Sequence, residues 1–413
     1  MPRRPGHDLG VAGHLATLAG LALNAAACQT SDATGVASCQ IAQEVSAPGS
    51  PLTLLADARL ERVATSSFVL TGFDADRATA RWVNYDPAAG ALGAEHALAL
   101  QTAAAGPWLA IATQSAPGDT LLVAQAPAVD TSRDDAELHV FAVPTSASSS
   151  TAPPLGPALA RIPGALANGG APTVALAASR SGPHAVLAWL DPAAGGVDIL
   201  ALSAAGQPLG APAVIDKAPS FACLGFAPGK GALTLVYHRY DDAAVHVPTL
   251  VITELLDSGA IDESVAFVLE SHAARCPQIT PTDAGYAIAF QDVEGSWLGT
   301  YAGGTMALAL HPFAAAVVFG GAGLQPPLVG LTGVGGDFAT VLQGARGGEL
   351  WRLSPSGARR GGRLALPSLQ GAIGGISTQP DSGGMTATYA DYTSVDGGLD
   401  TAGRRYFLGL ACP

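Results

Sequence analysis

The sequence predicts an all-β protein folded as a seven-bladed β-propeller, and three observations carry that expectation. A short apolar strand recurs at intervals of about fifty residues, the spacing of one supersecondary unit. Glycine and proline, 51 and 30 of the 413 residues, interrupt the chain too often for long helices and suit short strands joined by tight turns. Hydrophobic residues make up 48% and charged residues 13%, which provides a core without the charge density of a disordered chain.

The recurring strand covers Ser67 to Phe73, Thr120 to Ala126, Ala185 to Asp191, Leu233 to Arg239, Tyr286 to Asp292, Phe338 to Gly344 and Met385 to Asp391. Trp189, Tyr237, Phe290 and Tyr389 each end an alternating or apolar run, the first three at separations of 48 and 53 residues. A further strand follows each copy: Arg81 to Tyr85, Glu137 to Val143, Asp198 to Leu202, Leu250 to Leu256, Ser296 to Tyr301, Glu349 to Leu353 and Arg405 to Leu410. Several of these run into turns ending in Gly206, Gly259 and Gly357, where glycine supplies the positive φ of a hairpin, so a partner strand is expected next. Upstream, Trp108 to Thr113, Thr173 to Ser179, Phe221 to Phe226, Cys276 to Thr282, Pro326 to Thr332 and Ala372 to Thr378 supply innermost strands. Four strands per unit make a propeller blade. The alternative architecture is a pair of tandem β-sandwiches, whose short strands and turns read alike. Residues Pro144 to Pro157, rich in Ser, Thr, Ala and Pro, read as an extended loop inside the second blade.

The unit from Ala185 to Ile215, with its AVLAW, DILALSAAGQPLG and PAVI segments, resembles the degenerate propeller repeats of uncharacterised bacterial secreted lipoproteins. It has no WD dipeptide, kelch double glycine or sialidase Asp-box, so no named propeller family transfers its function. At the N-terminus, Arg3 and Arg4 precede an apolar stretch from Val11 to Leu23 and the small residues Ala25 to Ala27, the order of a secretory signal. Cys28 directly after them resembles the bacterial lipobox, although Ala25 stands where that motif prefers Leu. The resemblance implies cleavage after residue 27, lipidation of Cys28, a tether over 28–38 and a propeller over 39–413. Gln29 after the cysteine implies outer-membrane sorting; the alternative is plain cleavage and a periplasmic or secreted protein. Two acyl chains would hold the chain at a bilayer surface, and no other membrane contact is expected.

A net charge of −13 and a pI near 5.0 oppose a nucleic-acid backbone. The sequence contains no HExxH, GxSxG, Walker A or paired CxxC motif, and its nine His residues, His238 and His246 among them, are scattered without ligand spacing. Gly320 to Gly323 and Gly333 to Gly336 read as turns. The loops between the second and third strands carry Asp74, Asp76, Asp134, Asp135, Asp191, Asp241, Asp242, Asp292, Glu294, Asp391 and Asp396. Aspartate there terminates strands and nucleates turns. Read functionally, the same residues form an acidic rim that draws cations, basic peptides or polar sugars toward the central channel. No cofactor is expected, Ca²⁺ at the rim being the one candidate ion. Two function classes remain: a non-catalytic binding or scaffold module for a protein, peptide or glycan, and a propeller hydrolase or lyase acting on polysaccharide at the channel. The first is favoured because nothing singles out convergent carboxylates, and a monomer is expected.

With Cys28 set aside, Cys39, Cys223, Cys276 and Cys412 form an even set with three possible pairings. Cys223 and Cys276 each lie 14 residues before an aligned aromatic, which predicts that they join equivalent inner strands. The seventh unit ends one strand short. The segment Gln40 to Val45 is expected to pair with Arg405 to Leu410 and complete it, with Cys39 and Cys412 fastening the closure.

Overall fold

A computed structural model describes residues 39–48, 52, 55–64, 67–74, 79–99, 109–114, 120–125, 137–144, 160–163, 174–179, 184–191, 195–229, 233–241, 247–269, 276–291, 294–302, 308–315, 329–344, 347–368, 371–382, 384–395 and 398–412. The signal segment, Cys28 and its tether, and the loop at 145–157 lie outside the described residues.

The described strands form seven four-stranded antiparallel sheets. One strand, β1 (Gln40–Pro48), stands apart from its chain neighbours. Sheet 1 holds β2 (Ala56–Ala64), β3 (Ser67–Phe73), β4 (Thr79–Asp86) and β5 (Ala91–Ala99); sheet 2 holds β6 (Leu109–Gln114), β7 (Thr120–Gln125), β8 (Glu137–Pro144) and β9 (Ala160–Pro163). Sheet 3 holds β10 (Val174–Ala178), β11 (His184–Asp191), β12 (Gly196–Ser203) and β13 (Ala213–Lys217); sheet 4 holds β14 (Ser220–Ala227), β15 (Leu233–Tyr240), β16 (Thr249–Leu255) and β17 (Ile261–Val268). Sheet 5 holds β18 (Gln278–Pro281), β19 (Gly285–Gln291), β20 (Gly295–Ala302) and β21 (Ala309–Ala315); sheet 6 holds β22 (Val329–Val334), β23 (Asp337–Gly344), β24 (Gly347–Leu353) and β25 (Leu364–Ala365). Sheet 7 is β26 (Gly371–Asp381), β27 (Gly384–Val395) and β28 (Gly398–Ala411), with β1 as its outer strand.

Burial explains the sequence pattern. The middle strands β16, β19 and β24 are buried along their whole length, because each sheet packs on both faces, and they read as nearly continuous apolar runs. The outer strands β13 and β17 face solvent and alternate or turn polar. Apolar clusters join each sheet to the next around the ring; the one that closes it puts Phe407 of sheet 7 against Leu52, Leu60, Phe68, Leu70 and Tyr85. Sheets stacked this way, innermost strand beside innermost strand, make a β-propeller rather than paired sandwiches. The turns after β12, β16 and β24 carry Gly206 at φ 77°, Gly259 at φ 81° and Gly357 at φ 74°, each with its N–H on the carbonyl three residues back. An L side chain at those angles costs roughly 1 kcal/mol or more.

The ring is closed by hydrogen bonds as well as packing. β1 pairs with β28 from Gln40↔Ala411 to Pro48↔Arg404, and Cys39 is disulfide-bonded to Cys412 with Cα atoms 4.2 Å apart. Leu60 N donates to Ser377 Oγ at 2.9 Å, and Gln379 Nε2 donates to Leu60 O at 2.8 Å, tying β2 to β26. Arg405 is fully buried; its Nε donates to Leu52 O at 2.7 Å and its Nη1 to Gly375 O at 3.2 Å. A second disulfide, Cys223–Cys276, holds Cα atoms 5.1 Å apart and links β14 to the segment entering β18. The first sheet's inner strand, β2, has no counterpart among the expected inner strands, because its charged residues break the apolar pattern by which the others were read.

Candidate functional site

The second strand of each sheet hands over to the third at one end of the molecule, and there the described rim acids can be placed. Asp74 follows β3, and its carboxylate takes both Nε and Nη2 of Arg81, the latter at 3.0 Å; Arg81 also reaches Glu95 at 3.1 Å. The hydrogen bonds to Asp74 raise the Arg81 pKa above its ordinary value. Asp241 is exposed and pairs with Arg239 at 2.8 Å, while Arg239 lies 3.5 Å from Asp216 of the preceding sheet. Tyr237 Oη donates to Asp216 at 2.8 Å; burial, then that bond, push the phenol pKa far up. Trp189 and Tyr237 are buried between sheets and do not line the channel.

One rim assignment is corrected by the structure. Asp391 is fully buried and accepts a hydrogen bond from Ser368 Oγ at 2.8 Å, so it is not a rim residue. The reason is strand length: β27 runs on to Val395, past the point where the sequence pattern ends it, and Asp391 stands inside it between Ile373 and Arg404. Asp191 is the last residue of β11, and Glu294 is exposed just before β20. Asp76, Asp134, Asp135, Asp242, Asp292 and Asp396 lie outside the described residues. Among the described residues, no group of three His, Cys, Asp or Glu side chains is placed to hold a metal ion.

Sequence reasoning did not single out Arg59. It stands on β2 opposite Thr71 and is half-buried. A β-carbon built on Gly225 of β14 would lie 3.3 Å from its Nη2 and, among the described residues, within 4 Å of no other heavy atom outside its chain neighbours. The one signal in the sequence is local: β2 carries Asp57, Arg59, Glu61 and Arg62, whereas β6, β10, β14, β18 and β22 contain no charged residue. On the outer side, the exposed large apolar residues among those described, Leu209, Val214, Leu256, Ile261 and Val268, belong to sheets 3 and 4 or their turns, and a groove of about 300 Å³ lies between Leu209 and Ser258.

Comparison with known proteins gives little beyond this geometry. No protein-family description matches the chain. No curated protein matches it either. Among solved structures, a subtype N11 neuraminidase-like protein of A/flat-faced bat/Peru/033/2010 is similar at 10% identity and a TM-score of 0.44, over 90% of this chain and 94% of that one. The β-propeller domain of the Trilobed protease from Pyrococcus furiosus is similar at 10% identity and a TM-score of 0.44, over 86% of this chain and 92% of that domain. Prolyl oligopeptidase B from Galerina marginata is similar at 12% identity and a TM-score of 0.48, over 81% of this chain and 47% of that protein, so this chain spans about half its length. At these identities and scores the likenesses carry nothing about activity. The two disulfides point to an oxidising, extracytoplasmic compartment. Among the described residues no helix is long and apolar enough to cross a membrane.

Proposed function

We propose that the chain is an exported, non-catalytic binding module: a seven-bladed propeller over 39–413, tethered through a lipid on Cys28 at the outer membrane or cell surface, that captures a protein, peptide or glycan. One observation carries this reading. Two of the described carboxylates at the strand 2 to strand 3 face are engaged by the fold itself, Asp74 by Arg81 and Asp241 by Arg239. Glycoside hydrolysis needs two carboxyl groups roughly 5 to 10 Å apart and free to exchange protons with substrate. Acids paired with an arginine of their own sheet suit a binding rim instead.

The test is capture followed by product analysis. The full chain is presented to glycan and peptide arrays, and each retained ligand is recovered and weighed by mass spectrometry. Ligand returned intact after prolonged incubation supports the binding reading. Ligand shortened at one bond, with product accumulating over many turnovers, contradicts it and favours the polysaccharide hydrolase or lyase.

A further inference from the structure

We propose that the central channel is an oxyanion-binding site whose recognition group is the Arg59 guanidinium, taking the carboxylate or phosphate group of a captured ligand. This inference rests on the binding reading above and names the chemistry of the group bound.

The placement of Arg59 is unusual for an innermost strand. β2 belongs to sheet 1 and β14 to sheet 4; between them stand β6 and β10 on one side of the ring and β18, β22 and β26 on the other. A side chain of β2 that reaches Gly225 of β14 therefore crosses the channel. Gly225 is not in the left-handed region, so its backbone does not require glycine. What glycine provides there is room, because the one heavy atom a β-carbon would crowd is Arg59 Nη2. The wall behind it is pinned: Cys223, at φ 57° in the irregular part of β14, is joined to Cys276.

Asp57 and Glu61 flank Arg59 on β2, but no described residue is paired with the guanidinium. Arg59 makes no hydrogen bond or ion pair among the described residues, whereas Glu61 and Arg62 on the same strand each have a partner. The facing strand β14 and its neighbours β10 and β18 carry no Asp or Glu. An arginine fork offers parallel N–H donors matched to the two oxygens of a carboxylate or phosphate, and it is weakly hydrated, so it surrenders water readily. Partial burial of Arg59 strengthens that attraction over its value in open water. The overall charge of −13 repels anions at long range, so ionic strength has to be held constant in any comparison.

The full chain is titrated calorimetrically with sodium phosphate and, separately, with sodium acetate, each against sodium chloride at equal ionic strength. Saturable binding of phosphate alone assigns a phosphate group to the ligand, of acetate alone a carboxylate, and of both an oxyanion of either kind. Arg59→Gln is expected to weaken that binding at least about tenfold, the loss of a charge-assisted hydrogen-bond pair, without lowering Tm in chloride. Arg59→Lys keeps the charge but not the fork and should weaken it less. Gly225→Ala sets a methyl against Nη2 and should weaken binding with Arg59 intact. The proposal is overturned if neither ion binds or if Arg59→Gln binds as tightly as wild type; should that variant unfold, undiminished binding by Gly225→Ala overturns it. A ligand captured intact and equally well by wild type and Arg59→Gln removes the channel site but leaves the binding reading standing, whereas a cleaved ligand removes the binding reading itself.

Discussion

Single residues in this fold behave as their neighbours dictate. His238 sits on β15 between Ala222 and Leu250, fully buried, with neither ring nitrogen hydrogen-bonded to a described residue. Burial lowers its pKa from 6.5 to about 4, so the native state keeps it neutral while the unfolded chain protonates it near its ordinary value. The unfolded state then binds more protons between those values, and stability falls as pH drops from about 6.5 toward 4, by about 3 kcal/mol in all. Urea melts of wild type and His238→Leu between pH 7 and pH 4 check this: the variant should lose less stability over that window, and parallel curves would show that His238 titrates normally. Asp391 and Arg59 show why residue-level reading was uneven. Asp391 looks like a turn acid only if its strand ends there, and the strand does not. Arg59 meets β14 across the ring, a contact with no trace in local spacing.

Elements were more legible, and the reason is packing. Middle strands buried on both faces must be apolar throughout, so β11, β15, β19 and β23 stand out at a near-constant interval. The Gly turns were legible because positive φ selects the residue directly. Inner strand bounds were less so: β18 is only Gln278–Pro281, and β2 was hidden by its charges. The closing strand could be read from an absence, since a last unit one strand short leaves an edge that some other segment has to cover. β1 covers it, and Cys39–Cys412 closes a separation of 373 residues, which puts its contribution at the upper end for disulfides, about 5 kcal/mol. Cys412→Ser should therefore lower Tm and open β28 to protease, and deletion of residues 39–48 should do so more severely because the strand's hydrogen bonds go too. Unchanged melting and an uncut β28 in both variants would mean that sheet 7 does not depend on the N-terminal strand.

For the whole molecule, repeat spacing and composition sufficed for an all-β propeller, the even cysteine set agreed with an oxidising compartment, and ring order followed from chain order because each sheet packs on the next. Function was much less legible. An acidic loop reads the same whether its carboxylate meets substrate or an arginine of its own sheet, and only the fold reveals the pairs Asp74–Arg81 and Arg239–Asp241. The molecule that emerges has two engaged acids at one face and a guanidinium that no described residue pairs with. Hydrogen exchange read by mass spectrometry tests that picture most directly, on the full chain with and without a saturating captured ligand. The expected result is slowed exchange in peptides covering β2 and β14, unchanged exchange around Asp241 and Glu294, and a ligand of unaltered mass. Protection confined to the loops at Asp241 and Glu294, with β2 and β14 unaffected, would contradict it.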